Sequence, residues 1–167
     1  MNSISTDLTR MIVRELEGFE REIGLFPDDD SLWMTVPGIT NSAGNLALHV
    51  AGNLQYFIGS VLGASGYRRT RDAEFGRKAG TRAEVIADTA AAIAVVRDVL
   101  PHLSEDQLDS PFPESIMGFQ LRTRPFLIHL CAHAAFHLGQ AGYVRRALTG
   151  DNRSSGPLPV QALAESL

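Results

Sequence analysis

Four stretches of the chain space their apolar residues three and four positions apart, the interval that lines one side of an α-helix. From Ser3 to about Gly24 the apolar positions are Ile4, Leu8, Met11, Ile12, Leu16, Phe19 and Ile23, with Asp7, Arg10, Arg14, Glu17, Arg21 and Glu22 largely between them. A second helix is predicted from Asn41 or Ser42, either of which can cap free backbone N–H groups, to about Leu62 before Gly63. Its core face is Leu46, Val50, Leu54, Phe57, Ile58 and Val61, and beside it runs a polar row of Asn45, His49, Asn53 and Tyr56. Such a row is costly unless it meets water, a ligand or hydrogen-bond partners. Thr81 and Glu84 form a capping box that opens a third helix, with Ile86, Thr89, Ile93, Val96 and Leu100 on its packed face and Pro101 near its end. The fourth runs from Thr123, its predicted cap, to Gly150, with Pro125 in the first turn and Arg145 and Arg146 suited to the negative end of the helix dipole. It is apolar nearly all round and rich in Ala and Gly, which predicts the most buried helix of the four.

The connections are long. Gly24, Pro27 and Asp28–Asp30 open the first, which continues through Trp33, expected as an anchor packed over the helices, and Pro37–Gly38. Ala64–Gly80, ASGYRRTRDAEFGRKAG, has neither helical nor strand periodicity and reads as a loop. Ser104–Arg122 leaves open a turn of helix near Glu105–Leu108 and an extended piece near Phe119–Leu121. The fold class that follows is all-α, a four-helix bundle whose long connections imply crossovers or loops covering one end. One domain over residues 1–150 is expected, then a tail over 151–167 holding at most a short terminal helix.

Composition narrows the function classes. A net charge of −4 and a pI near 5.7 offer no basic stripe for nucleic acid or an anionic membrane. The one basic cluster, Arg68, Arg69 and Arg71, is broken by Asp72 and Glu74 and reads as a solvated loop, with recognition of a carboxylate by one of these arginines as the alternative. A single cysteine, Cys131, excludes an intrachain disulfide and fits a reducing compartment. Asp7 and Glu15 interrupt any signal-peptide core, and polar residues interrupt Leu46–Leu62 and Pro125–Leu148, so the expectation is a cytoplasmic protein with no membrane span.

The candidate chemistry lies in the histidines. Three of the five, His129, His133 and His137, recur at four-residue steps on the fourth helix. A four-residue step drifts about 40° around a helix and rises about 6 Å, so neighbours in the row can aim at one point and the two ends cannot. A mononuclear site needs a ligand from elsewhere, and His49 and His102 are the other histidines. His102 follows Pro101 at a helix end, where interaction with the dipole accounts for it; His49 stands in the polar row of the second helix. Facing helices that project ligands inward are how bundles build metal sites. Cys131, about 200° around the helix from His133, points away and reads as a packing thiol.

The segments NLALHVAGN in the second helix and HAAFHLGQ in the fourth, with RTRDAEF between them, resemble the DinB-like (DNA-damage-inducible) four-helix-bundle family, related to bacterial thiol-dependent S-transferases and mycothiol-dependent maleylpyruvate isomerase. The resemblance runs from the first helix through Arg146. It implies a divalent metal, zinc or nickel foremost, held by His49, His133 and His137, and it leaves His129 to packing or to the surroundings of the ligands. Gln140 matches the family's Gly-Gln and is expected to orient a ligand or a water; Asn45 and Asn53 stand one turn either side of His49 as further supporting candidates. Leu138 departs from the pattern, since many members have arginine there. The implied activity is thiol-dependent S-transfer to a small molecule, with a low-molecular-weight thiol as cosubstrate, and a homodimer is implied as well. No catalytic residue is assigned. The alternatives are a non-enzymatic ligand-binding or structural bundle and a metal-dependent hydrolase.

Overall fold

The computed structural model describes residues 4–155, and among them the ordered elements are helical, with only two isolated antiparallel bridges, Pro111 with Arg122 and Ile116 with Phe119. The expected terminal helix of the tail falls on residues 156–167, outside the described residues. Helix α1 is Ile4–Gly24, α2 is Ala43–Leu54, α3 is Arg71–Gly76, α4 is Arg82–Val99, α5 is Glu105–Asp109 and α6 is Thr123–Thr149. Helices α1, α2, α4 and α6 form the bundle: α1 and α2 each pack against both α4 and α6, α3 lies on α2, and α5 lies on α6.

Each bundle helix forms where its residues supply both a buried stripe and a stop. On α1, Leu8, Ile12, Leu16, Phe19 and Ile23 are buried, and they meet Leu54 and Ile58, Val85, Ala92 and Val96, and Leu127, Leu130 and Ala134 in one core. Ser42 and Asn45 make a reciprocal capping box at the start of α2, and Thr81 and Glu84 do the same for α4. Gly150, with φ of 67°, closes α6 in the left-handed conformation that costs glycine least. Arg122 rather than Thr123 occupies the cap position of α6; the Thr123 hydroxyl donates instead to Ser110 O.

Burial is distributed differently from expectation. All of Ala43–Leu54 is buried, whereas α6 leaves Ile128, Phe136 and Tyr143 exposed, so the second helix, not the fourth, is the central one. Beyond Leu54 the helix does not continue as α. Gln55–Leu62 winds as a π-helix, whose i→i+5 bonding is rare and concentrates near functional sites.

Ala64–Gly80 is not all loop, because α3 forms within it. No side chain caps α3 at Thr70; Asn45 holds its far end, with Nδ2 donating to the carbonyls of Glu74, Phe75 and Arg77 at 2.9, 3.3 and 2.8 Å. Arg69 likewise departs from the solvated-loop expectation, being largely buried in an ion pair with Glu74, while Arg68 and Arg71 are exposed. Trp33 is buried and its Nε1 donates to Gly80 O at 2.7 Å, anchoring one connection to another. Ser104–Arg122 holds both open alternatives: α5, and a hairpin-like return closed by the two bridges and turned at Met117 and Gly118, φ 51° and 84°. Arg145 does more than suit a dipole. It is fully buried, its Nε donates to Glu22 Oε1 of α1, and its other nitrogens reach the carbonyls of Asp151 and Arg153.

Candidate metal centre

The polar row of α2 and the histidine row of α6 meet across the groove between these helices. Because α2 is buried throughout, His49 has nowhere to turn but along the interface, and it is 6% exposed. His49 Nε2 lies 3.3 Å from His133 Nε2, which lies 3.1 Å from His137 Nε2. Ligand atoms of all three fall within 4.8 Å of one another. Bonds of about 2.1 Å from one ion to two imidazoles put the nitrogens about 3.0 Å apart at right angles and about 3.4 Å apart in a tetrahedron, so both observed spacings suit a shared cation.

The opposite edges of two rings are tied down. His49 Nδ1 lies 3.1 Å from Glu74 Oε2, and His137 Nδ1 lies 2.7 Å from Gln140 Oε1. Both partners are acceptors, so each Nδ1 carries the proton and each Nε2 presents a lone pair to the cluster. Arg69 Nη2 also approaches His49 Nδ1 at 3.1 Å, but a protonated Nδ1 cannot accept; Arg69 instead donates twice to Glu74, through Nε at 2.7 Å and Nη2 at 2.8 Å. His133 Nε2 faces the lone pairs of both neighbours at 3.1–3.3 Å, and a positive ion among the three nitrogens would satisfy them together. The donor set therefore fits a divalent metal.

The electrostatics favour the neutral rings that a metal needs. His133 is pushed down to about 3, first by burial and then by the neighbouring His137, His49 and His129 and by Arg69. Burial also lowers His137, against the raising effect of its bond to Gln140. Burial pushes Glu74 up, but the hydrogen bonds and charges of Arg69 and His49 outweigh it and bring the carboxyl below its ordinary value. Cys131 is buried and its thiol is pushed up, which keeps it protonated.

The remaining sequence candidates separate. His129 is exposed, stacks on Phe126 and stands outside the cluster, its ring centre 5.8 Å from that of His133. Asn45 bonds no histidine; it pins α3, and so acts on Glu74 rather than on a ligand. Asn53 is buried with an unpartnered Oδ1 and makes no bond to the cluster. Leu138, at the family's arginine position, packs against the core, and His102 sits exposed at the end of a short 3₁₀ turn, Leu100–His102. Glu74, Arg69 and Phe75, whose ring lies 4.6 Å from that of His49, are the residues that spacing did not reveal. Their one signal is RTRDAEF, which contains all three and stands out only as a family-like stretch.

An all-α bundle with a three-histidine cluster that could hold a metal is the class these observations define. The chain belongs to the family described as "Protein of unknown function (DUF1572)", whose model matches residues 6–160. Among solved structures it is similar to the conserved protein of locus from Enterococcus faecalis, with a TM-score of 0.73 and 18% identity over 90% of this chain and 100% of that one. At that identity the likeness speaks for the fold alone. No curated protein matches the chain.

Proposed function

We propose that this protein is a divalent-metal-dependent enzyme that transfers a low-molecular-weight thiol to a small molecule. The observation that carries the reading is the clustering of ligand atoms of His49, His133 and His137 within 4.8 Å of one another, with His133 and His137 only half-buried. Three neutral ligands and an open side are the arrangement of sites that bind exchangeable partners rather than of closed structural ones. A divalent ion there, zinc or nickel foremost, would supply positive charge that favours the thiolate form of a bound thiol at neutral pH.

The chain's own residues divide the remaining work. Glu74 and Gln140 keep two rings in the tautomer and orientation that bind metal, and Arg69 holds Glu74 in place. With both oxygens engaged by Arg69 and His49, Glu74 is not free as the general base that a hydrolase would need. The choice of thiol transfer rests on the resemblance of NLALHVAGN and HAAFHLGQ to the DinB-like bundles. A cytoplasmic location, in keeping with the single cysteine, completes the reading, and the exposed apolar residues Ile128, Phe136 and Tyr143 of α6 support a homodimer.

The test is metal analysis of native and metal-reconstituted protein beside the His49→Ala, His133→Ala, His137→Ala triple variant, followed by an alkyl-transfer screen with cysteine, glutathione and mycothiol. Near-stoichiometric metal in the first two, its loss in the variant and metal-dependent thiol consumption are expected. Absence of metal from both forms sinks the centre. Metal that is retained but indifferent to every thiol moves the protein to the ligand-binding or structural reading.

A further inference from the structure

A cleft of about 500 Å³ opens beside the histidine cluster, between α6 and the connection from α1 to α2. Gln140, Tyr143, Val144 and Ala147 line it from α6, with Leu46 of α2 and Ile39 of the connection also in its wall. Leu46 precedes His49 by three residues and Gln140 follows His137 by three. Each wall therefore continues, about 4.5 Å further along its axis, a helix face that carries a histidine of the cluster. Cleft and cluster are successive parts of one groove.

The lining selects against charge. Beside the apolar side chains it has Thr40, Asn41, Gln140 and Tyr143 but no Asp, Glu, Lys, Arg or His, so an ionic group entering it would lose hydration without a counter-charge. The volume lies within the usual range for small-molecule sites, about 300–1,000 Å³. Gln140 stands at the junction with the cluster, and its direction is set: Oε1 accepts from His137 Nδ1 at 2.7 Å, which leaves the amide NH₂ to donate.

Resting on the reading of the three histidines as a metal centre, we propose that this cleft seats the substrate's body, an uncharged and largely apolar small molecule bearing a hydrogen-bond acceptor such as a carbonyl. Gln140 receives the acceptor at the metal end, and the hydrocarbon part lies along Leu46, Val144 and Ala147. Gln140 is a positioning residue here, since it touches both the ligand and the ring of His137.

Titration of 2-octanone into metal-free wild-type protein, followed by NMR, tests the cleft directly. Saturable binding is expected, at least tenfold weaker for octanoate, which has the same length and a charge. Ala147 and Ile39 are exposed at the rim, so Ala147→Trp and, independently, Ile39→Trp fill the cleft without entering the core. Either folded variant should lose at least tenfold in affinity at an unchanged circular dichroism melt. In protein shown to hold one cobalt(II), the methyl beside the carbonyl should broaden more than the distant chain end. No saturable binding, equal affinity in the folded plug variants, or octanoate binding as tightly as the ketone would each overturn the cleft as the site. Uniform or reversed broadening would overturn the orientation by Gln140. Failure to load cobalt would count against the metal centre alone, because the first titration uses metal-free protein.

Discussion

A carboxylate 25 positions downstream decides which nitrogen of His49 faces the groove. Replacing Glu74 with Gln keeps its shape but removes the charge and one of the acceptor oxygens shared by Arg69 and His49. Loss of such a partner to a ligand histidine typically costs 10–100-fold in metal affinity, and Glu74→Gln is expected to fall in that range in a chelator-competition assay with helicity unchanged. Gly52 supplies an independent check. A Cβ added there would collide with Glu74 Oε1, so Gly52→Ala should weaken metal binding in the same direction without removing any polar group. Wild-type affinity in both variants would leave Glu74 without the orienting role.

Helix by helix, legibility followed the source of each element's stability. Helices α1, α4 and α6 carry periodic stripes with caps or stops in their own sequence, and all three lie close to where those signals put them. Helix α3, RDAEFG, has five charged or small residues and one aromatic, no apolar stripe and no side-chain cap; it exists because Asn45 collects its carbonyls. That dependence is tertiary and leaves no local pattern. For the same reason Glu74 was hidden, since an acidic residue among arginines looks like a solvated face until α3 docks on α2. The π-helical Gln55–Leu62 is equally unmarked, because its residues would serve an α-helix as well. His49, His133 and His137, by contrast, show in their four-residue steps and in a polar row beside an apolar one, though spacing alone left His49 and His102 both open. Asn45→Ala should lower stability by about 1–3 kcal/mol, the cost of stranding buried polar groups, and should speed hydrogen exchange in Arg71–Arg77 more than in α1. Uniform exchange across both helices would show that α3 does not depend on that side chain.

At the scale of the whole molecule, two buried ionic features govern stability. The folded pKa of His133, about 3, lies below the 6.5 of an unperturbed imidazole. Between these values the unfolded chain takes up a proton that the folded chain refuses, so metal-free stability falls as pH drops from about 6.5 toward 3, by at most about 1.4 kcal/mol per pH unit for each such group. Glu74 acts in the same direction: its lowered pKa contributes stability above the unfolded value that is lost as pH falls through the folded one. Urea melts of metal-free protein from pH 7.5 to 4.5 should show this decline, and saturating metal should raise stability by about 2.7 kcal/mol at 100 times its Kd, reversibly with chelator. The other feature is the Glu22–Arg145 pair joining α1 to α6, with side chains 2% and 0% exposed. Arg145→Met alone leaves a buried carboxylate unpaired and should cost about 3–5 kcal/mol, whereas Glu22→Leu with Arg145→Met should recover much of the loss in the same urea melts.

The Arg145 guanidinium also sets how far the chain can be shortened. It reaches the main-chain carbonyls of Asp151 and Arg153, beyond the last turn of α6. A protein ending at Gly150 would keep every helix described here and still strand those donors in the interior. A chain ending at Gly150 should therefore be less stable than one ending at Ser155, and cut sooner by protease. Between those two end points it is a side chain's need for acceptors, not the end of a helix, that decides stability.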